Sequence, residues 1–220
     1  MLVDLSHTIA TGMMQVATLP PVDVCRVTSV ADGARTNGQS LRMSGHSGTH
    51  IDAPLHVFDG LASIDAIEAQ RFVGPGVALR VRKEACDPVS AADLEAAARG
   101  LLRAGDMVLI HTGWDRYYGD PRYLTDYPSL TLDAADWLIE RGVKLVALDM
   151  LSPDLPGNRR PPDAQLVVHR RLLGNDVLIA ENLTGIAAVV GHRLQVHALP
   201  LKIAEGDGAP SRFCVEIVDA

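Results

Sequence analysis

The constraint that most narrows the fold is a change of rhythm at Val77. From there onward short apolar runs alternate with longer amphipathic stretches, and most boundaries carry a residue that starts or stops an element. Val77 to Val81 and Met107 to His111 read as strands, the second of them buried. Between them Ser90 opens a helix as its N-cap, with an acidic residue three positions on, and Gly100 ends it. Thr131 caps a second helix that runs to Glu140 and stops at Gly142, before the strand Val143 to Asp149. Asp163 to Leu173 reads as a third helix closed by Gly174, followed by the strand Val177 to Ala180. A late strand around His197 and a final one from Phe213 to Val218 complete an α/β pattern.

Upstream of Val77 the signals are weaker. Leu2 to Ile9 reads as an opening strand, and Thr11 to Pro21 as a loop by its Gly and Pro content. Val22 to Val30 and Gln39 to Gly45 alternate well enough to be strands joined by a turn. Ile64 to Phe72 reads as a short helix stopped by Gly74-Pro75-Gly76. A chain of 220 residues, 47% of them hydrophobic, supports one well-buried core, and no Pro/Ser-rich linker divides it, so one domain is expected.

Chemistry concentrates in Ser44-Gly45-His46-Ser47-Gly48-Thr49-His50-Ile51-Asp52-Ala53-Pro54-Leu55-His56, which holds three of the chain's 8 histidines and an aspartate. A single loop histidine would simply bond to nearby backbone. The set reads differently, because His46, His50 and Asp52 are spaced so that bent backbone can aim them at one point. Such nitrogen and oxygen donors suit zinc, manganese or iron. Gly45 and Gly48 permit the bend, and Pro54 keeps Ala53 extended, so the expected geometry is a strand end followed by a shaped loop.

This stretch resembles the HxGTHxDxPxH signature of the cyclase family of metal-dependent hydrolases, which includes bacterial kynurenine formamidases and isatin hydrolases. The similarity extends from Asp4-Leu-Ser-His7 to Leu199-Pro-Leu-Lys202. It implies a single-domain α/β fold with a mixed sheet, of the swivelling β/β/α type. It further implies that His46, His50 and Asp52 are metal ligands and that His56 is a catalytic acid/base held off the metal. His169 and Glu181, twelve apart, correspond to a pair that holds a second ion sharing the motif's aspartate, giving one or two zinc or manganese ions per chain. His169 shares a helix face with Leu166 and Leu173 and should point inward. An acidic residue ending the apolar strand before Glu181 needs a cation partner.

Other candidates are weaker. Met13 and Met14 lie in the segment that resembles the family's substrate-covering loop, where the absence of Trp departs from the formamidases. Ser152 lies in a turn that resembles one where some members bind or gate water. His7 borders the pocket by the same resemblance. His111 and Asp149 sit at strand ends, where α/β sheets gather ligands; a plain hydrogen-bonded residue is the leading reading for both, with orientation of a ligand imidazole the alternative for Asp149. Glu205-Gly-Asp-Gly-Ala-Pro210 reads as a turn that reports only backbone geometry.

The resemblance implies an amidohydrolase acting on a small molecule, arylformamidase-like on N-formylkynurenine, with isatin or another cyclic amide or lactone as the alternative. Two readings of other classes compete: a non-haem iron oxygenase using His50, Asp52 and a distant histidine, and a non-catalytic metal binder. The oxygenase conflicts with the α/β alternation, and anaerobic turnover separates it from a hydrolase. The net charge is −7, with no basic cluster beyond Arg159-Arg160 and Arg170-Arg171, which argues against nucleic acid. With no long apolar run or basic leader, a cytoplasmic protein off the membrane is expected, and the resemblance implies a homodimer or homotetramer. Cys25, Cys86 and Cys214 lie outside any metal or disulfide spacing and are expected to be small core residues.

Overall fold

The computed structural model of the chain describes residues 1–161 and 163–218. In chain order its strands and α-helices are β1 (Leu2–Asp4), β2 (Asp23–Thr28), β3 (Gly38–Arg42), β4 (His50–Asp52), β5 (Val73–Arg80), β6 (Pro88–Val89), α1 (Ala91–Ala98), β7 (Met107–His111), α2 (Arg122–Thr125), β8 (Ser129–Leu130), α3 (Leu132–Glu140), β9 (Leu145–Leu148), α4 (Val167–Leu173), β10 (Leu178–Glu181), β11 (Arg193–His197), β12 (Gly208–Pro210) and β13 (Cys214–Ile217).

Nine strands form one mixed sheet in the order β1-β13-β11-β5-β7-β9-β10-β4-β12. Its centre, β5-β7-β9-β10, is parallel, and the flanking pairs are antiparallel. Every residue of β7, β9 and β10 is buried. That is why these strands read as unbroken apolar runs: a parallel strand covered on both faces has no side for water. Helix α1 packs on α3 and α3 on α4, with α1 also against β5 and α4 against β10. Ser90 and Asp93 make the reciprocal capping box that starts α1, and Thr131 caps α3. Among the described residues no helix is long and apolar enough to cross a membrane.

Several boundaries differ from the sequence reading, each for a physical reason. Gly74-Pro75-Gly76 stops nothing: it lies inside β5, and only a 3-10 turn, Ala69–Phe72, precedes it. A Cβ on Gly76 would stand 2.6 Å from the Met107 carbonyl oxygen and 2.9 Å from Val196 Cγ2, so this glycine serves close strand approach. Helix α4 starts at Val167 rather than Asp163, because its first amides are taken by Asp154 from a distant loop. The histidine motif does not begin where a strand ends. β3 stops at Arg42, and His50–Asp52 is itself the strand β4. Cys214 is buried, as expected, but Cys25 is exposed on the separate β2–β3 pair, its Sγ against Asp23.

Candidate metal centre

Strand β4 lies between β10 and β12 and runs antiparallel to both. The register sets Glu181 opposite His50, and Gly208 opposite Asp52. Residues directly opposite, and residues two apart on one strand, share a face of a sheet. His50, Asp52 and Glu181 therefore project to the same side. His169 reaches them from α4, which packs on β10.

The imidazoles are held from behind. His50 Nδ1 donates to the Gly48 carbonyl at 2.8 Å, which leaves Nε2 at 3.3 Å from both Asp52 Oδ1 and Glu181 Oε2. His169 Nδ1 donates to Asp154 Oδ2 at 2.6 Å, and its Nε2 stands 3.1 Å from Glu181 Oε1 and 3.5 Å from Asp52 Oδ2. Both rings thus turn the nitrogen that would carry a lone pair in the neutral form toward two carboxylates. Either a proton or a cation must lie between them. His50 Nε2, Asp52 Oδ2 and Glu181 Oε1 are buried and find no hydrogen-bond partner of acceptable geometry among the described residues. Left so, such atoms are costly. A divalent cation satisfies all three together, and the mixed imidazole–carboxylate set suits zinc or manganese.

The electrostatics of the bare cluster agree. Burial disfavours charge on His50, but Asp52 and Glu181 outweigh it and hold its pKa up at about 10. Burial likewise opposes charge on His169, which Asp154, Asp52 and Glu181 overcome, so its pKa lies well above the ordinary value. Burial pushes the Asp52 carboxyl up, yet bonds from His169, His46 and His50 hold it well below the usual range. Without a cation, protons on the imidazoles offset the clustered carboxylates, and binding a cation would release them.

His46 is in the turn before β4. Its Nδ1 lies 2.8 Å from Asp52 Oδ1 and its Nε2 2.8 Å from Asp207 Oδ2. Burial works against its charge, but Asp207 and Asp52 raise its pKa to about 9. His56 ends a 3-10 turn, Pro54–His56, with Nδ1 3.1 Å from the same Asp207 oxygen. Grouped by donor distances under 4.8 Å, the residues fall into two triads that share Asp52: His50, Asp52 and Glu181, and His46, Asp52 and His56. The expected partition set His46 and His50 on one ion with Asp52, and His169 and Glu181 on a second; His46 Nδ1 and His50 Nε2 both approach Asp52 Oδ1, while His169 Nε2 approaches Asp52 Oδ2 and Glu181 Oε1.

Two carboxylates at this centre were not anticipated. Asp207 bridges His46 and His56, so the Gly-Asp-Gly turn carries more than backbone geometry. Its partner Gly208 is required for the approach: a Cβ there would stand 2.7 Å from His46 Cε1 and 2.9 Å from the Ile51 carbonyl oxygen. Asp154, not Asp149, orients a histidine of the cluster. Asp149 instead accepts from the Thr112 amide and hydroxyl and from the Gly113 amide. Its carboxyl, with His111 and Asp115, belongs to a separate group. His7 stacks on Tyr118 at 3.6 Å.

His46, His50, His56, His169 and Glu181 line a cavity of about 450 Å³. Met14 and Ser152 are on its wall, while Met13 packs against Gly48, itself a wall residue. Tyr127, Leu151, Leu166, Asn158 and Arg160 also line it.

Fold and site together define a class: an α/β enzyme with a buried histidine–carboxylate centre suited to a divalent cation, at the carboxyl end of β10. The family described as Putative cyclase matches residues 3–155. A kynurenine formamidase of Bordetella petrii is 31% identical over 185 residues, which cover 84% of this chain and 82% of that one. Among solved structures, isatin hydrolase A from Labrenzia aggregata bound to benzyl benzoate superposes with a TM-score of 0.85 at 25% identity, over 100% of this chain and 94% of that one. A predicted metal-dependent hydrolase from Bacillus stearothermophilus gives a TM-score of 0.78 at 25% identity, over 98% and 97% of the two chains. The chain belongs to the putative cyclase family, and it is a hydrolase with that family's mixed-sheet α/β fold.

Proposed function

We propose that this hydrolase cleaves the C–N bond of an aryl amide, with an N-formyl arylamine such as N-formylkynurenine as its substrate. The observation that carries the reading is the set of buried ligand atoms without partners, His50 Nε2, Asp52 Oδ2 and Glu181 Oε1, beside a cavity large enough for an aryl ligand. The kynurenine formamidase relatives support the formamide. Opening of a cyclic aryl amide such as isatin is the second reading, supported by the solved isatin hydrolases.

His50, Asp52, Glu181 and His169 would hold one cation, and His46 with Asp52 a second. When bound, such a cation polarises an acyl carbonyl and acidifies water, both of which suit amide hydrolysis. The chain's own part is proton handling. Asp207 is an ionised carboxylate and accepts only, so His56 Nδ1 carries the hydrogen between them and Nε2 is left to exchange a proton with the substrate. His56 lies on the cavity wall, within reach of a ligand. It takes the proton as water adds to the acyl carbon and returns it to the nitrogen as the C–N bond breaks.

The test combines elemental analysis of chelator-free protein with anaerobic assays on aryl formamides, isatins and lactones. Stoichiometric zinc or manganese with formamide turnover is expected. Protein without a transition metal, or turnover that requires oxygen, overturns the proposal.

A further inference from the structure

The cavity wall carries a charge that the hydrolytic centre does not use. Among the described residues Arg160 is the one Lys or Arg side chain on the cavity wall. It is half-buried, lies over Gly157 and bears electrostatically on the Tyr127 hydroxyl. No described carboxylate stands within ion-pair distance of it, although Arg71, Arg116, Arg122, Arg141, Arg171 and Arg212 each have one. The one carboxylate on the cavity wall, Glu181, faces His50 and His169 instead. The rest of the wall beyond the centre is apolar or neutral: Met14, Tyr127, Leu151, Leu166, Ser152 and Asn158.

A guanidinium loses hydration when a ligand fills the space beside it, and it regains partners only if the ligand brings an acceptor. A carboxylate matches its planar fork with two parallel hydrogen bonds. We propose that Arg160 selects the substrate: the molecule hydrolysed carries a carboxylate remote from its scissile amide, and Arg160 binds that carboxylate while the amide lies at the histidine–carboxylate centre. This deepens the amide-hydrolase reading and rests on it for the position of the scissile bond. It separates the two substrate readings, because an aryl formamide of an amino acid has such a carboxylate and an uncharged cyclic amide has none.

The experiment uses ortho-aminobenzoyl propionate and its methyl ester as binding probes, and their N-formyl derivatives as substrates. Calorimetric binding and turnover are measured for the parent protein, Arg160→Gln and Arg160→Lys, with metal content as the control for an intact centre. The parent should bind the acid about 10- to 100-fold more tightly than the ester, the usual worth of hydrogen bonds to a charged group. Arg160→Gln should abolish that preference by raising KM for the acid alone, with ester turnover and metal content unchanged, and Arg160→Lys should keep part of it. Equal binding of acid and ester by the parent, or equal weakening of both by Arg160→Gln, overturns the proposal. If neither formamide is hydrolysed while the binding preference and its loss in Arg160→Gln persist, the amide reading fails and the carboxylate site stands.

Discussion

Replacing Asp154 by Asn isolates one interaction on which the centre depends. Asp154 is 1% exposed, and its side chain accepts three hydrogen bonds: from the Val168 amide at 2.9 Å, the His169 amide at 3.0 Å and His169 Nδ1 at 2.6 Å. Asparagine keeps one accepting oxygen and puts an NH₂ where the other was. Facing the ring, that NH₂ favours the tautomer with hydrogen on Nε2, the nitrogen turned toward Asp52 and Glu181. A protonated nitrogen cannot ligate, so cation affinity should fall by about 10- to 100-fold, the usual effect of losing a carboxylate behind a ligand histidine. One buried donor, the His169 amide, also loses its acceptor, so stability should fall by about 1–3 kcal/mol. Zinc affinity would be read by competition with a chromophoric chelator, and stability by urea unfolding with chelator present. Asp149→Asn is the control, because that carboxylate is equally buried and also accepts three hydrogen bonds, but touches none of the cluster. The reasoning is refuted if Asp154→Asn binds zinc within twofold of the parent while losing stability, since Asp154 would then be a helix cap and nothing more.

Glu181→Gln should reduce bound metal by one ion per chain with the fold retained, as elemental analysis and circular dichroism would record; unchanged stoichiometry would remove Glu181 from the ligand set. Gly208→Ala forces a methyl group within 2.7 Å of His46 Cε1 and 2.9 Å of the Ile51 carbonyl oxygen, so zinc affinity should drop even though no donor is lost. The Asp149 carboxyl sets a pH dependence: burial outweighs its three donors and raises its pKa from 3.8 to about 6, so between these values the folded chain holds a proton that the unfolded chain has lost, and stability falls by about 3 kcal/mol as pH rises through the window. Urea unfolding from about pH 4 to 6 should show that slope in the parent and a flatter one in Asp149→Asn, and equal slopes would place the titration elsewhere.

The central strands were legible because burial on both faces leaves an unbroken apolar run, and the starts of α1 and α3 because a cap is a local event between residues three apart. The spacing of Gly74 and Gly76 looked like punctuation for a different reason. A glycine needed so that two strands can approach is indistinguishable, in sequence, from one needed for a turn. Cys25 was misplaced because β2 lies outside the main sheet, so an alternating pattern there did not mean one buried face. The histidine motif was legible through density alone. Asp207 was not, since it lies 161 residues from His46 and reaches it only because β12 pairs with β4 in one particular register.

The exchange of roles between Asp149 and Asp154 shows what decided the matter physically. Both are buried carboxylates five residues apart, and a rule that looks for an acid near a strand end cannot rank them. Helix α4 has no capping side chain of its own: Leu166 occupies its N-cap, leaving its first amides in need of an acceptor. Asp154 supplies one to Val168 and His169, and a carboxylate fixed at that helix start is also beside the ring of the third helical residue, His169. Capping α4 and aiming His169 are therefore one interaction. In a chain with Asp154 replaced by Ala, a substitution that restored a local cap at Leu166 would satisfy the helix and still leave His169 Nδ1 without the acceptor that turns its other nitrogen toward Asp52 and Glu181.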